Sequence, residues 1–244
     1  VVGKICIAKL VLEFVCELTL AHLRKPPVAT STCDFIEAKP PVFVLWPFLL
    51  RHENNMIFAP GGGGKTNLAL QWIILMESPL QPNPFGWLVR PQPLICLYLD
   101  WERSWNTQSY RMRGLLDGLG LPMACPDTPL HYYHPRAPLY QEVRNVQHLI
   151  NSLKVSALIL DSCGMAAGGD MNKTEPAIQS FGALAALKTW DGLPLTNLLI
   201  SHTSKAPTTS KKTPYGNAYW GNECSSIWEL IPSDSQEHNL NRIT

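Results

Sequence analysis

The sequence predicts an α/β domain with a mostly parallel central sheet flanked by helices. Short apolar runs typical of buried strands alternate along the chain with longer segments whose apolar residues recur at helical spacing. Hydrophobic residues make up 45% of the 244 residues and charged residues 16%, so the chain can bury a core and wholesale disorder is excluded. Because strands that alternate with helices are joined by crossovers, the sheet should be parallel, with helices on both faces.

The first part of the chain, residues 1–39, is predicted to be a helical appendage with a proline-rich linker, followed by the domain at 40–244. An apolar segment at 1–23 is interrupted by four charged residues: Lys4, Lys9, Glu13 and Glu17. These charges argue against a membrane span and favour an amphipathic helix. The chain ends shortly after a predicted strand, so we expect the last strands of the domain to lie beyond Thr244.

The first half of the domain contains two clear strands and two helices. Residues 56–58 are an apolar run followed by glycines, which predicts a buried strand. Residues 65–76 carry apolar side chains at helical spacing and predict the first helix. The run LICLYLD at 94–100 predicts a central strand. A helix over 104–119 follows, and two glycines at its end predict where it stops.

The second half continues the alternation. Residues 130–133 predict a short strand, and residues 140–153 predict a helix. The run ALILD at 157–161 predicts another buried strand. An Ala- and Leu-rich segment predicts a helix over 174–190, and the run NLLIS at 197–201 predicts a further strand.

Charge and cysteine usage narrow the functional class. Twenty basic and 19 acidic residues give a net charge of +1, which argues against a histone-like or tail-driven binder of nucleic acid but not against a local basic patch. The seven cysteines form no Cys-x-x-Cys pair, so we expect reduced thiols in a cytoplasmic protein and no zinc site.

The segment APGGGGKT at residues 59–66 has the composition and setting of a phosphate-binding loop. Glycines between a strand and a helix let backbone N–H groups curl around phosphates, and the helix N-terminus attracts negative charge. Lys65 would reach the β- and γ-phosphates of ATP, and the Thr66 hydroxyl would bind Mg²⁺. Ala59 stands where the motif normally begins with Gly. The predicted ATP contacts are Ala59, Pro60, Gly61, Gly62, Gly63, Gly64, Lys65, Thr66 and Asn67. A plain glycine-rich turn is disfavoured because strand, Gly-Lys-Thr and helix coincide.

Two acidic residues complete the predicted catalytic site. Asp161 ends the run ALILD and is predicted to make the second Mg²⁺ contact through water, although alone it would suit a turn cap. Ser162 follows it, so the carboxylate that activates water must come from elsewhere. Glu102, two residues past LICLYLD, is the candidate base, with Asp100 as its competitor. The alternative for Glu102 is a surface ion pair with a base such as Arg103.

The phosphate loop, the strands that end near Glu102 and Asp161, and two later segments resemble the RecA/DnaB-type P-loop ATPases. The resemblance is narrower to the RepA-like branch of helicase-like "AAA family ATPases". The resemblance covers residues 40–232. It rests on five blocks: APGGGGKT (59–66), LYLDWE (97–102), LILDSCGMAAGGDMN (158–172), LLISHTSK (198–205) and GNAYWGNECSSIWEL (216–230). It implies a RecA-like fold, Mg²⁺-dependent ATP hydrolysis coupled to nucleic-acid remodelling or translocation, and a homo-oligomeric ring, a hexamer in helicases. It also implies that Glu102 is the catalytic base and that His202 senses the γ-phosphate. Without the resemblance, His202 would be interpreted as a hydrogen-bonded histidine at a strand end.

Besides Ala59 in the phosphate loop, the sequence departs from that family at Ser225. Ser225 stands where the family often has an arginine that reaches across a subunit boundary. Lys205 could replace it only as a point charge, not as a planar fork. This departure, together with Ala59, leaves open a weakly hydrolysing or non-hydrolysing nucleotide-gated binding module.

Two segments after the central strands are candidates for contact with single-stranded nucleic acid, with DNA the favoured form. The resemblance places residues 162–173 and 203–215 at the axis of a ring or filament. The second segment contains three lysines and a tyrosine, which suits a phosphate backbone and stacked bases: Lys205, Lys211, Lys212 and Tyr215. The alternative is a solvated Ser/Thr/Pro/Lys loop.

A P-loop kinase acting on a small molecule is the remaining alternative. Such enzymes usually close an arginine-rich lid over the phosphates. Arg111 and Arg113 are the only close arginine pair in this sequence, and they fall within a predicted helix rather than a lid. The kinase is therefore disfavoured.

Overall fold

The described part of the chain comprises residues 40–79, 83–121, 130–203, 213–232 and 241–243 of a computed structural model. Apart from Pro40, these residues belong to one unit, Pro41–Thr244. The predicted appendage at 1–39 lies outside the described residues, and so do the loop lysines Lys205, Lys211 and Lys212.

Strands and helices alternate within the described ranges. The strands are β1 (Phe43–Trp46), β2 (Leu49–Leu50), β3 (Asn54–Ala59), β4 (Leu88–Val89), β5 (Cys96–Asp100), β6 (His131–Tyr133), β7 (Ala157–Asp161), β8 (Thr196–His202), β9 (Ser226–Pro232) and β10 (Asn241–Ile243). The helices are α1 (Lys65–Glu77), α2 (Trp105–Gly118), α3 (Leu139–Leu153), α4 (Cys163–Ala167), α5 (Thr174–Ala186) and α6 (Tyr219–Asn222).

A seven-stranded sheet forms the centre of the fold, in the order β10-β9-β3-β8-β7-β5-β6. Six of its strands are parallel, and β10 pairs with β9 in the antiparallel sense. A second, small antiparallel sheet has the order β2-β1-β4 and packs into the same hydrophobic core as one face of the central sheet. The predicted α/β fold with a mostly parallel sheet is confirmed, and it is consistent with a RecA-like P-loop domain.

The central strands are buried on both faces, which explains why they are continuous apolar runs rather than alternating ones. Their side chains divide by the two-residue period of a strand. Ile57, Tyr98 and Ile159 belong to the core that includes α1 residues. Met56 and Leu158 belong to the other core, which includes residues of α3 and α5. The sheet is therefore covered on both faces.

The structure differs from the sequence predictions in two segments. The helix predicted over 174–190 ends at Ala186, because the following residues turn back and Lys188 forms an antiparallel bridge with Pro194. The Thr189 hydroxyl donates to Leu193 O at 2.9 Å and stabilises that turn. The segment 162–173, expected to be a loop, contains the short helix α4.

Strand order brings four strand ends together. β3, β8, β7 and β5 are neighbours, so their carboxyl ends meet at one edge of the sheet. Ala59 at the end of β3 is paired with His202 at the end of β8, and Asp100 at the end of β5 is paired with Asp161 at the end of β7. Ligands of open α/β sheets bind outside this edge.

None of the helices within the described ranges has the length and apolar character that a membrane crossing requires. Cys96, Cys163 and Cys224 are free, and the first two are buried. Among the described side chains, His, Cys, Asp and Glu form no cluster of three that could hold a metal ion.

Glu77, the last residue of α1, has a buried carboxyl group that lies next to the first residue of β5. It is 6% exposed, and its Oε1 accepts a hydrogen bond from the Cys96 N–H at 3.1 Å. Burial raises the pKa of Glu77 to about 8. The hydrogen bond from Cys96 favours the ionised carboxylate and offsets only part of that increase. The carboxyl therefore stays protonated in the folded chain over a range in which the unfolded chain ionises.

Replacing Glu77 with Gln should make folding stability less sensitive to pH. The folded-state pKa lies above the unfolded value of 4.5, so the stability associated with the proton is full below pH 4.5 and is lost as pH rises towards 8. At ~1.4 kcal/mol per pKa unit, the wild type should lose a few kcal/mol more than Glu77→Gln between pH 5 and pH 8. Denaturant unfolding at both pH values measures this. The exposed Glu175→Gln is the control, and equal losses in wild type and Glu77→Gln would contradict the prediction.

Candidate active site

The loop between β3 and α1 has the backbone of a phosphate cradle. Gly62 and Gly64 have φ angles of 75° and 83°, which favour glycine. A Cβ on Gly63 would lie 3.0 Å from the Ala59 Cβ and from the Pro60 O, so a side chain at that position would crowd both neighbours. Ala59 itself keeps the conformation of the strand and is fully buried. The loop thus curls directly in front of the N-terminus of a 13-residue helix.

Lys65 begins that helix and folds back across the loop. Its Nζ donates to the Ala59 O at 2.9 Å and to the Pro60 O at 3.0 Å, and the residue is only 6% exposed. Burial lowers the pKa of Lys65, while the charges of Asp161 and Glu102 act to raise it. The ammonium therefore lies in the loop next to two acidic side chains, where a polyphosphate would supply further negative charge.

Thr66 and Asp161 lie in direct contact. The Thr66 hydroxyl donates to Asp161 Oδ2 at 2.8 Å, and the Tyr98 hydroxyl donates to the same oxygen at 2.6 Å. Burial raises the pKa of Asp161, the two hydroxyls act against that shift, and the nearby Glu102 and Asp100 add to it. One hydroxyl and one carboxylate suit Mg²⁺, which usually keeps several waters and takes few protein ligands.

Glu102 stands beside this pair. The Ser162 hydroxyl donates to Glu102 Oε1 at 2.5 Å, and His202 Nε2 lies 3.7 Å from the same oxygen. Three separate strand ends therefore converge on one carboxylate. The sequence predicted Glu102 and His202 separately, and the structure brings them together.

Asp100, the competitor of Glu102, is fully buried behind the site. Its Oδ1 accepts the backbone N–H groups of Glu102 and Arg103, each at 2.8 Å. Its Oδ2 accepts from Gln108 Nε2 at 2.6 Å. These contacts make Asp100 an organiser of the turn that carries Glu102, and of these two carboxylates only Glu102 lines the cavity.

These residues surround one cavity of about 300 Å³, which we call the carboxyl-edge cavity. Its lining comprises Gly61, Gly62, Gly63, Gly64, Lys65, Thr66, Asn67, Glu102, Arg103, Arg111, Asp161 and His202. The predicted residues Ala59 and Pro60 lie behind the loop and contact Lys65 through their carbonyl groups.

Arg103 and Arg111 are the cavity residues that sequence reasoning missed. The sequence presents Arg111 only as half of an arginine pair within a helix. Its Nη1 donates to Gln108 Oε1 at 3.2 Å, and its side chain lines the carboxyl-edge cavity. The available signal was the spacing of Gln108 and Arg111, which puts them on the same face of α2.

Ser225, which the sequence comparison above set against an arginine of the resembling family, lies at the opposite edge of the sheet. It precedes β9, its hydroxyl donates to Glu53 Oε2 at 2.8 Å, and its N–H donates to the Asn54 O at 2.8 Å. Glu53 and Asn54 stand at the start of β3, whereas the phosphate loop follows the end of that strand. Ser225 is therefore separated from the cavity of its own chain by the length of β3.

The segment that carries the predicted loop lysines begins and ends beside the cavity. The Thr203 N–H donates to the Ala59 O at 3.2 Å, and Thr203 forms a bridge with Pro214. The Tyr215 N–H donates to the His202 O at 2.6 Å. Both ends of this segment are thus tied to the strand end that carries His202.

Comparison with known proteins matches the chain to a protein family. A protein-family model described as an AAA domain matches residues 22–208, which is more than half of the chain. The match includes the phosphate loop, Glu102, Asp161 and His202, and it ends before Ser225. No curated protein matches the chain at a significant level.

Proposed function

Because the chain belongs to the family of AAA-type P-loop ATPases, we propose that it is a cytoplasmic Mg²⁺-dependent ATPase that remodels or translocates on single-stranded nucleic acid, DNA foremost. One observation carries the ATPase proposal. The phosphate loop, the Thr66–Asp161 pair and Glu102 line the same cavity of about 300 Å³. Phosphoryl transfer to water needs that combination: a phosphate cradle, a metal site and a group that orients water.

Each residue then has a distinct task in the proposed reaction. The N–H groups of the loop and Lys65 would bind the β- and γ-phosphates, and Thr66 and Asp161 would hold Mg²⁺. The ion would offset the negative charge of the phosphate oxygens. Glu102 would accept a proton from the attacking water, and His202, near the same carboxylate, would sense the γ-phosphate.

The two cavity arginines supply positive charge within one chain. Arg103 and Arg111 line the same space as Lys65, so three cations surround the position proposed for the phosphates. A guanidinium can bind two phosphate oxygens with parallel hydrogen bonds, which an ammonium cannot. Ser225 in place of the family arginine therefore does not leave the cavity without a guanidinium, and this favours hydrolysis over the non-hydrolysing alternative.

The coupling of ATP to nucleic acid is supported by the anchoring of one segment. Residues 204–213 join Thr203 to Pro214, and the neighbouring backbone contacts tie this segment to His202 and Ala59. A side chain at the end of β8 that responds to the γ-phosphate would act on both ends of the segment. Lys205, Lys211 and Lys212 would then change their contact with phosphates of a strand.

Phosphate release measured with and without single-stranded DNA tests the proposed function. Hydrolysis that is stimulated by DNA and rises steeply with protein concentration supports a nucleic-acid motor that works as a ring. Nucleotide binding without hydrolysis would favour the nucleotide-gated binding module. Phosphate transfer to a small molecule, without release, would favour the P-loop kinase.

Replacing Lys211 and Lys212 together with Ala should reduce the salt dependence of DNA binding. Each lost phosphate contact removes about 0.7 units from the slope of log affinity against log salt on single strands, and about 0.9 on duplex. On single-stranded DNA the pair should therefore lose about 1.4 units, together with DNA stimulation of the ATPase, while the basal rate is kept. Fluorescence anisotropy at several salt concentrations measures the slope.

A matched control removes two lysines from the opposite edge of the sheet. Lys154→Asn with Lys188→Ala makes the same charge change, and Asn tolerates the left-handed backbone at Lys154, where φ is 57°. The control should keep the wild-type slope and stimulation. An unchanged slope and unchanged stimulation in the loop variant would show that the segment is a solvated linker, and would favour a protein-binding ATPase.

A further inference from the structure

Asp100 is a buried carboxylate whose side-chain oxygens accept hydrogen bonds from neutral N–H groups. Two backbone N–H groups donate to Oδ1 and the Gln108 amide donates to Oδ2. Asp100 and Gln108 are both fully buried, so solvent does not satisfy either side chain. Burying a carboxylate is costly unless its hydrogen bonds are complete. An apolar or neutral residue at this strand end would avoid that cost, which points to a role beyond packing.

The orientation of the Gln108 amide is determined by its two neighbours. Its nitrogen faces the Asp100 carboxylate at 2.6 Å, and its oxygen accepts from Arg111 Nη1 at 3.2 Å. A carboxylate can only accept and a guanidinium can only donate, so the reversed amide would face both partners with the wrong group. Gln108 thus connects a buried anion to a cation of the carboxyl-edge cavity.

We propose that Asp100 and Gln108 are positioning residues that act as a relay, holding Arg111 and the Glu102 turn in place for the proposed hydrolysis of ATP. The inference rests on the proposed function. One end of Asp100 binds the N–H of Glu102, so the same carboxylate organises the turn of the base and, through Gln108, the guanidinium. The charge of Asp100 polarises the Gln108 amide and strengthens its oxygen as an acceptor.

Asp100→Asn tests the relay with a change of one atom. The remaining oxygen can still accept from the Glu102 and Arg103 N–H groups. The new amide nitrogen, however, faces the Gln108 nitrogen, so Gln108 must turn over and present N–H groups to Arg111. We expect kcat for ATP to fall about ten- to a hundredfold, the range for losing a hydrogen bond to a charged group, with KM changing less.

Gln108→Glu in the Asp100→Asn background should restore activity. The carboxylate introduced at position 108 can accept from the amide introduced at position 100 through one oxygen and from Arg111 through the other, and the net charge of the pair is that of the wild type. Gln108→Glu alone should lose activity, because it places two carboxylates in contact. We expect the double variant to return to within about threefold of the wild-type kcat, which a merely structural loss of packing would not do.

A binding measurement keeps the test independent of hydrolysis. Arg111 in the cavity should favour a triphosphate, so Asp100→Asn should lower the ratio of affinities for ATPγS and ADP, and the double variant should restore it. Gln108→Leu removes the hydrogen bonds to Asp100 and Arg111 and fills the space with an apolar side chain of similar size. It should lower both kcat and the ratio of affinities for ATPγS and ADP even if Asp100→Asn fails to fold. Thermal unfolding of every variant identifies folding failures.

The outcomes separate the relay from the proposed function. A wild type that binds ATPγS without hydrolysing ATP would contradict the ATPase, while the affinity ratio would still decide the relay. If the wild type is active and its Gln108→Leu variant keeps both the wild-type kcat and the wild-type ratio of affinities for ATPγS and ADP, the relay alone would be overturned. A folded double variant no better than the folded single variants would also overturn it. A wild type that binds neither nucleotide would overturn both proposals.

Discussion

Lys65→Ala should abolish ATP binding at micromolar nucleotide. Lys65 is the innermost cation of the loop, and in the proposed complex it would exchange contacts with the Ala59 and Pro60 carbonyls for contacts with phosphate oxygens. Hydrogen bonds to charged groups contribute ~1.5–3 kcal/mol each, so losing two weakens binding by about two orders of magnitude or more. Equilibrium binding of a fluorescent ATP analogue measures the effect.

Folding must be checked in the same experiment, because Lys65 is buried and its loss leaves two carbonyls without this donor. Lys65→Met keeps the length and packing of the side chain and should lose binding as severely as Lys65→Ala. Lys173→Ala, an exposed lysine outside the cavity, should bind ATP like the wild type. Tight nucleotide binding by folded Lys65→Met would refute the phosphate role of this loop.

Glu102→Gln should separate binding from turnover. Gln can keep the contact with the Ser162 hydroxyl, so the geometry of the site should survive, but a neutral amide cannot take a proton from water. We expect kcat to fall by about two to four orders of magnitude, the usual range for losing a general base, with ATP affinity nearly unchanged. Single-turnover phosphate release with prebound ATP isolates the chemical step.

Glu175→Gln is the matched control for that experiment. It makes the same change on an exposed carboxylate in the first turn of α5, away from the carboxyl-edge cavity, and should keep the wild-type rate. If Glu102→Gln turned over ATP normally, the base would have to be another group. Asp100 would be a poor replacement, because its contacts with backbone N–H groups and Gln108 occupy both oxygens.

Local sequence signals were sufficient for most of the elements. The apolar runs that became β3, β5, β7 and β8 are short and bounded by glycines or polar residues, and such runs are recognisable because buried parallel strands are apolar on both faces. The phosphate loop was equally clear, since its function depends on backbone conformations and a helix start that lie within eight consecutive residues. The helix predicted to reach Trp190 was wrong at its end, because the chain turns back after Ala186 and Lys188 forms a bridge with Pro194, only six residues further along.

The predicted site residues came from separate strand ends, each recognisable by a polar residue after an apolar run. Asp161 and Glu102 could be proposed in this way, whereas His202 was proposed only through the family resemblance. The sequence could not say that Ser162 donates to Glu102 or that Asp100 is buried behind the cavity. The two-residue period of a strand would put Asp100 and Glu102 on the same side, but β5 ends at Asp100 and a turn sets the direction of Glu102. Burial and side-chain direction separated Glu102 from its competitor.

The order of the strands was decided only by the tertiary structure. A phosphate loop, a helix period and an apolar run are properties of adjacent residues, so the sequence by itself determined the α/β class, the loop and the candidate acidic residues. The sheet order that brings β3, β8, β7 and β5 side by side depends on pairings between residues far apart in the chain. That order places Arg111, on the helix after β5, in the same cavity as Lys65, on the helix after β3, which no local pattern in the sequence encodes.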